Sequence, residues 1–238
     1  MTIETYEAAT GLAAVWERLG AALYDFTLAK GERRGMARRR AELLEKADGR
    51  VLEIGAGTGL NLDHYPAGLE ALVLTEPVSP MAERLRRRLT GHRRLAHAEV
   101  VEAPADVLPF PTGSFDTVVS TMVLCTVPDV TSALSEIARV LRPGGRLLFI
   151  EHVYAEGTRL GRWQRRLSGA WAAYALGCRC DRDLVAAIGS QFTIGALMAD
   201  DWDGMPALVR PLVIGAATPV SSAQHGAWAH HVAADALA

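Results

Sequence analysis

Apolar residues recur along this chain at two different periods, and the switches between them mark out its elements. Leu12, Val15, Trp16, Leu19, Leu23 and Phe26 fall at helical spacing and predict an amphipathic helix ahead of any sheet. Arg33 to Lys46 predicts a second helix that stops near Asp48-Gly49. Short apolar runs follow. Arg50–Ile54, Ala71–Thr75, Glu99–Glu102, Phe115–Thr121 and Arg146–Ile150 predict five strands, the fourth apolar on both faces as a buried parallel strand is. After the second strand, Ser79 is the expected helix cap, with Pro80 at the first helical position. Ala133–Leu141 predicts a helix ended by Arg142-Pro-Gly-Gly145. Helical segments are expected at Arg159–Leu176 and Arg182–Ile188. Phe192–Met198 and Leu212–Ala216 then predict two last strands, an antiparallel pair at the sheet edge joined by a short turn. Beyond Thr218 the chain is rich in alanine, serine and histidine without clear period, and reads as a tail.

Five alternating strand and helix units imply an α/β, Rossmann-like, doubly wound fold. Seven strands, mostly parallel, are expected, with an antiparallel edge strand and an N-terminal helical cap. The expected divisions are a cap over residues 1–46, a core over 47–217 and a tail over 218–238. Ligands of such sheets bind beyond the strand C-termini, where the strand order reverses. Glu53, Glu76, Asp106 and Thr121 all fall at or just after predicted strand C-termini.

The stretch Val51-Leu-Glu-Ile-Gly-Ala-Gly-Thr-Gly-Leu60 carries the sharpest chemical signal. Glycines at 55, 57 and 59 allow a tight turn and close approach of a ligand to the backbone. A dinucleotide turn is spaced G-x-G-x-x-G, and here the third glycine comes one residue early. A phosphate loop needs Gly-Lys-Ser/Thr, which is missing. What remains is E-x-G-x-G-x-G after a strand. Glu76, 23 residues after Glu53, is placed to accept two ribose hydroxyls, as the acid of dinucleotide folds does.

Composition narrows the classes further. Half the residues are hydrophobic, 22% are charged and the net charge is −2, so no global basic field draws the chain to nucleic acid. Arginines cluster at 33–40 and 84–94, but among glutamates on predicted helices, which reads as a solvated face. Three cysteines, Cys125, Cys178 and Cys180, suit a reduced compartment rather than a disulfide framework. Cys178-x-Cys180 lacks a second paired cluster, so no metal is expected. No apolar run reaches the ~20 residues of a membrane span, and the first residues show no signal-type segment. A cytoplasmic location without an integral membrane segment or obligate protein partner is expected.

The motif E-x-G-x-G-x-G resembles the first motif of class I S-adenosylmethionine-dependent methyltransferases. Phe110-Pro-x-x-x-Ser-Phe-Asp116 and Leu141-Arg-Pro-Gly-Gly145 extend the resemblance to the ubiquinone/menaquinone type. Residues 40–216 are more closely similar to methyltransferase-like alkyl-thiol S-methyltransferases. That similarity rests on Asn61, Tyr65-Pro66, Leu124-Cys125, Glu151-His152-Val153, Trp163-Gln164, Trp171, Gly177-Cys178 and Arg182. The chain departs at Ala56, where those members carry cysteine, and at Glu76, where they carry aspartate. It also shows no apolar N-terminal anchor like that of the animal members.

The resemblance implies an S-adenosylmethionine site made by Glu53, Gly55, Gly57, Gly59, Asn61, Glu76, Ala105, Asp106 and Thr121. Asp106 would meet the adenine amino group, and Pro77 and Met81 would pack on the ring. It further implies a small-molecule methyl acceptor, most naturally a thiol; an O- or N-acceptor and a non-catalytic S-adenosylmethionine-binding module are the alternatives. A thiol of pKa ~8.5 is already partly ionised near neutrality and needs little acid–base help. A weaker acid needs a placed base, for which His152 is the first candidate. His64 is a weaker candidate, and His225, His230 and His231 have no expected chemistry. Tyr24, Trp163, Trp171 and Arg182 are candidate acceptor-site residues, although the tryptophan spacing also fits a core stripe and Arg182 also fits a surface pair with Asp181 or Asp183.

Overall fold

A computed structural model of the 238-residue chain describes residues 11–220. One open sheet runs through them. Its strands are β1 (Arg50–Ile54), β2 (Ala71–Thr75), β3 (Glu99–Val101), β4 (Phe115–Thr121), β5 (Leu141–His152), β6 (Phe192–Asp201) and β7 (Pro211–Pro219). The helices are α1 (Leu12–Gly31), α2 (Ala37–Leu44), α3 (Ser79–Leu89), α4 (Val130–Val140), α5 (Arg159–Tyr174) and α6 (Leu184–Gly189). The strand order is β3-β2-β1-β4-β5-β7-β6. Strands β1 to β5 pair in parallel, and β7 runs antiparallel to both β5 and β6. The reversed strand therefore lies one in from the edge. Chain order reverses between β1 and β4, which opens a crevice above their C-termini.

Period-two alternation divides the core into two layers. Leu52, Ile54, Val118, Leu147 and Phe149 pack with Leu134 and Ile137 of α4 and with Leu184 and Ile188 of α6. Val51, Val119, Leu148 and Ile150 face the other way, toward Met36, Leu43, Leu44 and Leu85. Burying each such side chain contributes about 1.5–3 kcal/mol, so β1, β4 and β5 form the stable base on which the crevice stands.

Several boundaries differ from the sequence expectation, each for a local reason. The second helix does not begin at Arg33. Residues Glu32–Met36 form a wide π turn in which Gly35 takes φ +125°, and α2 starts after it. Ser79 does not cap α3: Val78 holds that position, and the Ser79 hydroxyl donates to Glu102 at 2.6 Å instead. Helix α4 starts three residues before its apolar period, because the Asp129 carboxylate caps Thr131 and Ser132 through a polar first turn. The last two strands are joined by residues 202–210 rather than a short turn, and that connection buries Trp202.

The arginine run is not wholly a solvated face. Arg39 and Arg40 are buried, Arg39 bonding Asp200 at 2.5 and 2.8 Å. The stripe on α1 is helical but turned outward: Val15, Leu19, Leu23 and Phe26 are exposed. The side chains of Leu12 and Trp16 lie outside the described residues, as do His225, His230 and His231. Strand β7 runs to Pro219, and the rest of the expected tail, from residue 221, lies outside the described residues. Among the described residues no helix is long and apolar enough to cross a membrane.

Candidate active site

The glycine turn leaves β1 with Gly55, Gly57 and Gly59 at φ +54°, +58° and +88°. All three lie in the left-handed region where a side chain is strained. Space excludes one as well: a Cβ on Gly55 would stand 2.7 Å from Val123, and one on Gly59 would stand 2.8 Å from Leu85. Gly57 has no such neighbour. Its open side meets only the Tyr24 ring, 3.7 Å from where a Cβ would be.

Two buried carboxylates flank this turn. Glu53 accepts from the Asn61 amide at 2.8 Å and the Tyr65 hydroxyl at 2.6 Å. Glu76 accepts from the backbone N–H of Gly57 at 2.8 Å and of Val78 at 2.9 Å. Burial pushes each up to about 7, and their hydrogen bonds pull the other way. These acids are thus held at the strand ends with partial charge in reserve, and hydroxyl donors would favour their ionised form. Pro77 follows Glu76, Met81 is buried on α3, and Ala105 is buried beside half-buried Asp106 after β3. The positions expected to hold the cofactor thus line the C-terminal ends of β1, β2, β3 and β4.

Arg40 was absent from the expected set. Its guanidinium comes up from α2 and donates to Asn61 at 2.9 Å, to Thr121 at 3.1 Å and to Glu32 at 3.1 Å. Thr121 also accepts from Asn61 at 3.0 Å. A buried cation therefore sits between β1 and β4 at the crossover. The only sequence signal for it was an arginine beside a glutamate on a helix, which solvated faces share. Tyr24 lies over the opening from α1, and the adjacent Asp25 bonds Thr58 of the glycine turn at 2.5 Å. Tyr24, Arg40, Glu53, Gly57, Asn61 and Thr121 help line a cavity of only about 10 Å³. Ligand pockets run ~300–1,000 Å³, so α1 covers the crevice like a lid in this conformation.

The β4–β5 side is organised by Glu151. It accepts from Ser120 at 2.6 Å and from the backbone of Val123, Leu124 and Cys125 at 3.1, 3.1 and 3.4 Å. That clamp fixes the loop after β4, where Met122 takes φ +62°. Glu151 thus serves the loop, and its neighbour His152 points to the opposite face. His152 is buried and stacks on Trp202 with centroids 5.5 Å apart. Burial drives its pKa down to about 4, against a hydrogen bond to the Val209 backbone. An imidazole that weak is a poor base for a thiol or phenol.

His152 comes close to Cys125 and Cys178, and the three ligating atoms lie within 4.8 Å of one another. The Cys125 thiol is raised by its hydrogen bond to Cys178 and by burial, whereas Cys178 is lowered by accepting that bond. All three cysteines are free. Arg182 neither reaches into the crevice nor pairs with a neighbouring aspartate; it donates to the Leu124 carbonyl at 2.8 Å and the Pro128 carbonyl at 3.4 Å. Trp163 is 54% exposed and covered only by Arg166, so it lines no enclosed pocket. Trp171 packs on the core beside Cys178, and Tyr174 is exposed. His64 is half-buried, with its pKa lowered by burial and by Arg40.

Comparison with known proteins assigns the class that this sheet and turn define. The chain belongs to the class I S-adenosylmethionine-dependent methyltransferases, and a family model described as a methyltransferase domain matches residues 52–149. Within that class it is similar to human thiol S-methyltransferases. TMT1A is 35% identical over 172 residues, covering 69% of this chain and 68% of its own length. TMT1B is 38% identical over 144 residues, covering 59% of each. The chain thus spans about six- to seven-tenths of these curated relatives. A solved structure from Thermotoga maritima, described as a SAM-dependent methyltransferase and possible histamine N-methyltransferase, shares the fold. Its TM-score is 0.62 at 20% identity, covering 86% of this chain and 97% of that one.

Proposed function

We propose that the chain transfers the methyl group of S-adenosylmethionine to the sulfur of a small-molecule thiol. The observation that carries the reading is the strand-end cradle, where the glycine turn sits between the buried acids Glu53 and Glu76. When bound, the cofactor supplies an electrophilic methyl on a sulfonium. Glu76 would accept the ribose hydroxyls, and Asp106 with the Ala105 backbone would hold the adenine, packed by Pro77 and Met81. Arg40, with Asn61 and Thr121, would hold the carboxylate of the methionine part. Tyr24 closes over the site on α1, which keeps water from the sulfonium.

Two facts support sulfur as the acceptor: the likeness to two thiol S-methyltransferases and the weakness of His152, the candidate base, as a proton acceptor. A thiol supplies its own nucleophile at neutral pH, so alignment at ~3–3.5 Å is the main task left to the protein. Three free thiols suit a reducing, cytoplasmic setting. Titration calorimetry with S-adenosylhomocysteine tests the cofactor, and lack of binding would remove the enzyme reading altogether. A panel of alkyl thiols, aryl thiols, phenols and amines tests the acceptor. Turnover confined to phenols or amines would replace thiol methylation with O- or N-methylation. Binding without turnover of any acceptor would favour the non-catalytic module.

A further inference from the structure

Cys125, His152 and Cys178 stand 27 and 26 residues apart in sequence, yet their ligating atoms come within 4.8 Å of one another. They are 1%, 6% and 7% exposed. Cys180, the obvious partner of Cys178 by spacing, is not part of the group; its sulfur turns to the Gln164 carbonyl at 4.0 Å. The arrangement is held from several sides. Glu151 clamps the backbone N–H of Cys125 at 3.4 Å. Arg179 N–H donates to the Cys125 carbonyl at 2.8 Å, tying the loop after β4 to the segment that carries Cys178. His152 ends β5 opposite Leu212 of β7.

One buried polar atom here has no hydrogen-bond partner, His152 Nδ1, while the Trp171 indole N–H is directed at the Cys178 sulfur. A buried group left unpaired costs about 1–3 kcal/mol, so an unpartnered imidazole nitrogen next to two thiols calls for a ligand. We propose that Cys125, Cys178 and His152 form a three-ligand site for a soft divalent cation of the zinc type, with a fourth position for an exogenous sulfur ligand. Thiolate and imidazole donors select such an ion over magnesium or calcium. Tetrahedral zinc with bonds of ~2.0–2.3 Å holds its ligands roughly 3.3–3.8 Å apart, so the trio closes on one ion by small side-chain shifts. Ligating histidines hydrogen-bond an outer partner as well, and the Val209 backbone is beside this ring.

The site adjoins the cofactor cradle, since Val123, two residues before Cys125, abuts Gly55. The identity of the fourth ligand rests on the thiol reading above; the three protein ligands do not. An acceptor thiol binding there loses its proton to solvent and is held as a thiolate. Its sulfur then forms the new bond to the methyl carbon as the bond from carbon to the sulfonium breaks. No oxidation or reduction takes place.

The full chain, purified under reducing conditions without chelator and incubated with zinc, should keep about one zinc per chain after dialysis. Cobalt(II) in its place should give thiolate-to-cobalt absorption in the near ultraviolet. Cys125→Ser and Cys178→Ser should each weaken that absorption, with circular dichroism showing the fold intact, and an added alkyl thiol should shift it. Retention below about 0.1 metal per chain by the folded wild type overturns the site. So do cobalt bands unchanged in both serine variants. Bands that ignore the thiol overturn the fourth position alone. A metal-free chain that methylates thiols at full rate overturns the role in catalysis while thiol methylation stands.

Discussion

The two sides of the crevice meet polar groups in opposite ways. On the β1–β2 side every buried acid is already partnered by nearby chain: Glu53 by Asn61 and Tyr65, and Glu76 by Gly57 and Val78. On the β4–β5 side Glu151 is partnered too, but His152 Nδ1 is buried without a hydrogen-bond partner. The first side is thus organised before its ligand arrives, and the ligand adds contacts to a finished frame. The second side is complete only when something supplies the missing partner. Two backbone N–H groups and two side chains close to the acids in sequence serve the former, whereas the latter depends on side chains drawn from the loop after β4, the end of β5 and the segment after α5.

That contrast predicts separable losses. The largest is expected at Glu76. Glu76→Ala removes two charge-assisted contacts to ribose, each worth ~1.5–3 kcal/mol, and should weaken S-adenosylhomocysteine at least about 100-fold in calorimetric titration. A change under about threefold would show that the cradle does not use this acid. The next is Cys125→Ala, which should lower thiol turnover at least about 10-fold while leaving S-adenosylhomocysteine affinity within about threefold. Equal losses in both would erase the division between the two sides.

The smallest effect is a proton. Glu76 is pushed up to about 7 from the ordinary 4.5 in the free chain, and hydroxyl donors favour its charged form. Binding of S-adenosylhomocysteine at pH 7 should therefore release about half a proton, seen as a buffer-dependent enthalpy, and Glu76→Gln should remove its share. The release should fade by pH ~8.5, where the acid is already ionised. The same shift has a stability consequence. A raised acid binds protons more tightly when folded, so its contribution is full below about 4.5 and is lost as pH rises through about 7. Proton uptake on binding, rather than release, would contradict the donation of hydroxyls to Glu76.

The cofactor side was legible because its signals are local. Glu53, the three glycines and Glu76 lie within 24 residues, and their strand–turn–helix context follows from hydrophobic period alone. Asp106 and Thr121 were placed by the same strand-end rule. Arg40 was not: Arg39 and Arg40 both turn inward where α2 follows the π turn at Glu32–Met36, and a run of arginines among glutamates does not say which of them will. The nearness of Cys125, His152 and Cys178 had no sequence signal: the spacing drew attention only to Cys178-x-Cys180, and the fold turns Cys180 toward the Gln164 carbonyl. Trp163 and Arg182 carried the family spacing, but the structure gives them solvent and backbone carbonyls rather than the crevice.

By itself the sequence determined the class of fold, the cofactor of its family and the five parallel strands, the fifth starting earlier than expected at Leu141, because period and glycine conformation act over a few residues. Only the tertiary structure decided which arginines are buried, that α1 closes over the glycine turn, and that Cys125, His152 and Cys178 meet. Those outcomes depend on packing between elements far apart in the chain, where burial and the need to satisfy each polar atom are set by neighbours that no local pattern names.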